Sequence, residues 1–324
     1  MTFYSQIAAN KRQSIFLALA VAAILGVFGF VIGMALTGQV SGGIIATGIA
    51  IAIAALSSLG SYFAGDKLVL ATSQAREVDE QTAPQLINVV REMSIAAGIP
   101  MPKVYVIDDT APNAFATGRD PQHASVAVTT GLLEKMDREE LQGVLGHEMS
   151  HVRNYDIRFT LLVGVLVGSV ALLSDFFLRW TFWFGGGRRD DRDDDRGGGG
   201  LQAIFFIVAI ILSILAPIAS QLVQLAVSRQ REYLADASSV EITRNPNGLE
   251  RALATIASDR EVLEVASRAT QHLYFTNPIK KFEKRAAGLM STHPPIVDRI
   301  NRLRELTGEQ PLDQAETTQL SGLD

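Results

Sequence analysis

The sequence contains no cysteine. Disulfides, thiolate metal ligands and cysteine nucleophiles are excluded together. Histidine is scarce, five in 324 residues, so few positions can carry metal or acid–base chemistry. The net charge is only -5, which does not suggest a nucleic-acid partner. Charged residues make up 19% of the chain and aromatics 7%. What is abundant is aliphatic: 48% of residues are hydrophobic, and they are gathered in blocks.

Four blocks stand out, at 15–36, 43–64, 159–180 and 201–227. Each reaches the roughly 20 apolar residues that a bilayer crossing needs. The first, "IFLALAVAAILGVFGFVIGMAL", is uncharged. Its apolar core is too long for a cleaved signal peptide, and no A-x-A site followed by a polar start appears. Asp175 weakens the third block, although Phe176–Trp180 beside it resemble an interfacial aromatic belt. Pro217, Gln221 and Gln224 weaken the fourth. Lys11 and Arg12 precede the first block, Lys67 and Arg76 follow the second, and Arg229 and Arg231 follow the fourth. The excess of basic residues on the cytoplasmic side of membrane helices puts all three positions there. The stretch "GGGRRDDRDDDRGGGG", residues 185–200, reads as a solvated flexible linker. Its aspartates could suggest calcium, but glycine flanks supply no rigid ligand geometry.

The expected organisation is an N-terminal hairpin within 1–65, a soluble part at 66–158, a second hairpin at 159–227 around the Gly/Asp/Arg-rich loop 181–200, a second soluble part at 228–306, and a loose polar tail at 307–324. The fold class is mainly α with a small β-sheet, multi-pass in the membrane. "APQLINVVREMSIAAGI" has helical apolar spacing and stops at a glycine. "KVYVID", "NAFAT" and "ASVAVTT" read as short strands. "DREELQGVLGHEMSHVRN" reads as a helix, with Asp137 as N-cap and Glu140 completing a capping box. Further helices are expected at 229–243, 248–267 and 295–306.

The helix just named contains H-E-x-x-H. Residues four apart share one helix face, about 6 Å apart along the axis, so His147 and His151 can face one zinc ion. Glu148 lies about 100° round the helix, where it flanks the metal rather than joining the pair. From there it can take a proton from a water that zinc acidifies and pass it to a leaving amine, as a peptide hydrolase requires. A catalytic zinc needs a third protein ligand and an open position. Asp156, His123, His272, His293 and a downstream carboxylate are candidates. Glu232 in "SRQREYLADASSVEIT" is best placed, because Asp236 stands four residues on and could accept the free imidazole N–H of a ligand histidine. If His151 and Glu232 flank one membrane hairpin, they emerge together, roughly 10–15 Å from the bilayer by helix rise alone.

"NAFATG", H-E-x-x-H, the following hairpin, "EYLAD" and "HPP", in this order, resemble the HtpX-type membrane zinc endopeptidases, related to the CAAX prenyl proteases of the Ste24 type and to Oma1. The resemblance covers about residues 10–305. It implies a thermolysin-like (gluzincin) core binding one Zn2+, with Glu232 as third ligand and Asp236 and Asp156 behind the ligands. It implies that Asn113, Ala114 and Phe115 lie on a strand lining the substrate cleft, where an extended peptide could pair. It implies that His293 approaches the cleft and could stabilise the oxyanion. His123 and His272 match nothing in the pattern and read as surface residues. The task implied is proteolytic quality control of misfolded or damaged membrane proteins under stress, from a bacterial inner membrane with the site facing the cytoplasm. A site-specific CAAX-type processing protease and a non-catalytic zinc-binding membrane scaffold are the alternatives. A general base at Glu148 argues against the scaffold, since a structural zinc needs none and is usually closed by four protein ligands.

Overall fold

In the computed structural model, residues 3–184, 199–259, 261, 263, 274, 275 and 294–321 are described. The expected linker at 185–200 lies almost wholly outside them, and His272 and His293 lie outside them too. The described chain is mostly helical with one small mixed sheet. It divides into two compact units.

One unit comprises Lys11–Tyr62 and Leu162–Gln224. It holds most of α1 (Phe3–Thr37) and α2 (Val40–Thr72) and the apolar parts of α6 (Asp156–Phe184) and α7 (Gly199–Thr243). Small residues bring α1 and α2 close: a Cβ on Gly33 would stand 2.4 Å from Gly42 O. Outward, α2 exposes Ile44, Ile45, Ile49, Ile51 and Ile53. Among the described residues, one segment, Val40–Gly60, is long and apolar enough to cross a membrane, and Ala22–Thr37 and Ala203–Ala219 are shorter apolar stretches.

The other unit comprises Met1–Asn10, Phe63–Leu161 and Leu225–Asp324. Its sheet contains β1 (Arg76–Glu77), β2 (Lys103–Ile107), β3 (Ala114–Gly118) and β4 (Ala124–Thr129), in the order β1-β2-β4-β3. β2 and β4 run parallel, and the outer pairs are antiparallel. Every residue of β4 is buried, as befits an interior strand of β-branched and small residues. α4 (Thr130–Lys135) and α5 (Arg138–Arg153) pack against the sheet, and α3 (Pro84–Ala97) and α8 (Pro246–Ser258) pack on α5. α3 opens on Pro84 and closes on Gly98 at φ 68, the left-handed conformation that glycine adopts most readily. α5 carries the expected box, Asp137 accepting from Glu140 N while the Glu140 side chain accepts from Asp137 N. Leu86, Val90, Val126, Val144, Leu145, Leu249 and Leu253 form one core with Ile300 and Leu303 of α9 (Ile296–Thr307).

Three expectations are corrected. The helix placed at 248–267 starts earlier, on Asn245 as N-cap, and ends at Ser258, where Asp259 turns extended. The helix after the fourth apolar block is not separate: α7 runs unbroken through Pro217 to Thr243. The polar tail is partly ordered. Gln314–Ser321 forms α10, opened by a box in which Glu316 N donates to Asp313 and Asp313 N donates to Glu316. Leu312 and Leu320 rest on the core, and Arg304 pairs with Glu316 while Leu312 N donates to Asn301 Oδ1.

Candidate active site

The site is built where α7 lies antiparallel against α5. The facing pairs are Ser239 with Gly143, Asp236 with His147, and Glu232 with His151. Glycine makes the approach possible. A Cβ on Gly146 would stand 2.9 Å from Ser239 Oγ, and that hydroxyl donates to Gly143 O at 2.7 Å. Spacings of three and four on both helices align these side chains along one seam.

His147 and His151 present their Nε2 atoms 3.1 Å apart. Glu232 Oε2 lies 3.6 Å from the first and its Oε1 3.4 Å from the second. Atoms bound tetrahedrally at ~2.0–2.1 Å from a common ion stand about 3.3–3.4 Å from each other, so this trio fits a small divalent cation. Both Nδ1 atoms are committed elsewhere: His147 Nδ1 to Asp236 Oδ1 at 2.9 Å, His151 Nδ1 to Asp156 Oδ2 at 3.1 Å. A carboxylate on Nδ1 fixes the tautomer whose Nε2 lone pair faces the metal. Two such lone pairs at 3.1 Å repel unless a cation stands between them or one ring is protonated. Burial works against protonation of His151, but the Asp156 and Glu232 carboxylates outweigh it and hold its pKa well above the ordinary value. The charge set asks for a cation.

Glu148 is 1% exposed, and its Oε1 has no hydrogen-bond partner among the described residues. Burial raises its pKa, against the pull of His147, His151 and the Ala116 backbone amide. A buried carboxylate whose proton affinity is raised in this way suits a general acid–base role.

Two buried arginines back the carboxylates. Arg299 of α9, fully buried, donates from Nη2 to Asp236 Oδ1 at 2.7 Å and from Nε to Asp236 Oδ2 at 2.9 Å. Burial opposes its charge, but Asp236 and then Glu232 more than compensate, and its pKa is raised. Asp236, though buried, is held below the usual carboxylate range by Arg299 and His147. Arg231 donates to Asp156 Oδ1 at 2.6 Å and stacks on Phe159, 3.6 Å from the ring centre. Phe275 closes one side: its ring meets His147 edge-on at 4.8 Å, its N–H donates to Ala114 O at 2.7 Å, and its carbonyl accepts from Arg299 at 3.2 Å.

The structure therefore brings together His147, Glu148, His151, Asp156, Glu232 and Asp236. His123 stays at the surface, paired with Asp120 at 2.7 Å. Asn113, Ala114 and Phe115 are buried, at 3%, 1% and 0% exposure. Their strand is an edge of the sheet, as expected, but its start is occupied: Ala114 N–H donates to Asn113 Oδ1, and Ala114 O accepts from Phe275. Backbone groups alternate sides along a strand, so the outer edge continues at Ala116, beside Glu148, and at Gly118. Arg299 and Phe275 were not singled out in the sequence, and Arg231 was noted only as a basic residue flanking the fourth apolar block. Arg299 had a signal, an arginine on the apolar stripe of Ile296, Ile300 and Leu303; the other two had none.

Known proteins resemble this chain along most of its length. A protease HtpX homolog of Listeria monocytogenes is 47% identical over 306 residues, covering 94% of this chain and 99% of the relative. A protease HtpX homolog of Streptococcus gordonii is 46% identical over 303 residues, with the same coverage. The crystal structure of S. mikatae Ste24p aligns with 93% of this chain and 67% of its own, at TM-score 0.48 and 18% identity. The description Peptidase family M48 matches residues 80–307, a span that includes the His147, His151 and Glu232 cluster. On that match, and on the near-half identity to bacterial proteases along almost its whole length, the chain belongs to peptidase family M48 and is a protease of the metallo type.

Proposed function

We propose that the chain is a multi-pass membrane zinc endopeptidase that cuts misfolded or damaged membrane proteins from the cytoplasmic face of a bacterial plasma membrane. The observation that carries the catalytic part is the meeting of the two Nε2 atoms and the Glu232 carboxylate, with each Nδ1 tied back to a carboxylate. Two imidazoles and one carboxylate are a common catalytic zinc set, leaving a fourth position open. Zinc held there supplies a Lewis acid that polarises the peptide carbonyl and acidifies water. Glu148 receives the proton of the attacking water and delivers it to the leaving amine. An extended substrate pairs along β3 at Ala116 and Gly118, which lays its backbone beside Glu148. His293 is assigned oxyanion stabilisation on the family resemblance alone.

The apolar segments support the membrane part, and the basic residues at 11, 12, 67, 76, 229 and 231 support the orientation. The relatives' bacterial origin supports the compartment. The test is cleavage of an unfolded membrane protein by the detergent-purified chain, with and without zinc, beside Glu148→Gln. Loss of the general base should cost about 10²–10⁴ in rate while zinc stays bound. Equal cleavage by both chains would remove Glu148 from the mechanism. Zinc binding without cleavage by either would favour a scaffold.

A further inference from the structure

We propose that Arg231 is a positioning residue of the metal site, which sets His151 and Glu232 together by holding Asp156. The inference rests on the metallopeptidase reading. Asp156 follows His151 by five residues and does not share its helix. α5 ends at Arg153, Tyr155 takes a left-handed turn at φ 62, and Asp156 opens α6. That turn swings the carboxylate back over the His151 ring. A carboxylate on a short side chain at a helix start can rotate, and here each oxygen has its own partner: Oδ2 the imidazole, Oδ1 the Arg231 guanidinium. Arg231 is itself held, 5% exposed and stacked on Phe159.

Arg231 also immediately precedes Glu232 on α7. One ion pair thus ties the third ligand's helix to the carboxylate behind the second ligand. His147 is backed in parallel by Asp236 and Arg299. The seam of α5 and α7 alone would bring Glu232 near His151, but it leaves the His151 ring free to turn about its side-chain bonds. Arg231 and Asp156 remove that freedom. Arginine suits the task better than lysine, because its planar fork holds a carboxylate at a defined angle and stacks on an aromatic ring.

The experiment reads metal rather than turnover. The full chain in detergent is prepared as wild type, Arg231→Met, Arg231→Lys, Asp156→Asn and the double variant Arg231→Met/Asp156→Asn. Zinc affinity is measured by competition with a chromogenic chelator, and coordination by the visible spectrum of the cobalt-substituted protein. Groups behind metal ligands are typically worth about 10–100-fold in affinity. Arg231→Met should lose affinity in that range and change the cobalt bands, and Arg231→Lys should recover part of both. The double variant should bind zinc no more weakly than Asp156→Asn, because Arg231 acts through Asp156. Wild-type affinity and spectrum in Arg231→Met overturn the proposal, as does a double variant whose loss equals the product of the single losses. Should Arg231→Met fail to fold, the double variant, with no buried charge left unpaired, decides against Asp156→Asn on the same criterion. A wild-type chain that binds no zinc would instead sink the metallopeptidase reading.

Discussion

Replacing Gly143 by alanine sets two effects of opposite sign against each other. Glycine inside a helix is about 0.5–1 kcal/mol worse than alanine, so on an isolated α5 the change would stabilise. In the folded chain, the new Cβ would meet Leu249 N at 2.6 Å, Leu249 Cα at 2.7 Å and the Gly248 carbonyl carbon at 2.9 Å. All three are backbone atoms of α8, so no side chain can rotate away, and the helices must part. Overpacking of this kind typically costs about 1–3 kcal/mol. The net expectation is a loss of about 1–2 kcal/mol, or ~2–8 °C in Tm at the 2–4 °C per kcal/mol usual for domains of this size. Gly146→Ala is the internal comparison. Its new Cβ meets Ser239 Oγ at 2.9 Å and Thr243 Cγ2 at 3.0 Å, side-chain rather than backbone atoms, so its Tm should fall less than that of Gly143→Ala, at the expense of the Ser239 hydrogen bond to Gly143 O. The assay is thermal unfolding of the detergent-purified chain, all variants scanned at one rate because unfolding of such proteins is often irreversible. A Tm for Gly143→Ala at or above wild type would refute the argument that α5 and α8 meet backbone to backbone.

Arg299→Met should be more damaging, by about 3–5 kcal/mol, since it leaves Asp236 buried without its cation; a thermal-shift loss below about 1 kcal/mol would show that the pair is not the anchor its burial suggests. Asp236→Asn should weaken zinc about 10–100-fold in chelator competition and also lower Tm, since it leaves Arg299 buried without its main anion. Stripping the metal with a chelator should abolish cleavage, and added zinc should restore it; activity that survives exhaustive chelation would contradict the metal's role. Leu320→Asp should undock α10, seen as faster proteolysis after residue 308 with zinc affinity unchanged.

How much of this could be read beforehand depended on the range of the interaction. Local signals held. The Asp137 and Glu140 box, Gly98 as a stop, and His147 and His151 on one face all act within a turn or two of helix, and the structure shows them. The strand positions held to within a residue because alternation and turn residues are local too. What escaped was set by tertiary partners. Nothing near Arg231 in sequence announces that a carboxylate at 156 needs it. Phe275 matters only because the chain returns to the β3 edge. α10 was hidden by its polarity, since it is attached by Leu312 and Leu320 and by polar contacts, Arg304 with Glu316 and Leu312 N with Asn301 Oδ1. Arg299 was legible in principle: a lone cation on an apolar helix stripe has to meet a buried anion.

The antiparallel seam also explains why a metal site can tolerate ligands as far apart in the chain as 151 and 232. Loop-closure entropy grows by only about 0.6 kcal/mol for each doubling of a flexible link. The intervening chain is stiffer than that, for α6 leaves the site at Asp156 and α7 returns through Glu232 as continuous helices. Register is then fixed at three rungs, Ser239 on Gly143, Asp236 on His147 and Glu232 on His151. A slip of α7 by one residue would rotate Glu232 by about 100° and carry it off the seam. The outer two rungs are neutral or metal-dependent, whereas the middle rung is a hydrogen bond from His147 Nδ1 to an ionised carboxylate that Arg299 pins from the far side. Charge-assisted contacts of this kind are roughly twice as strong as neutral ones. The middle rung therefore contributes most to holding the register.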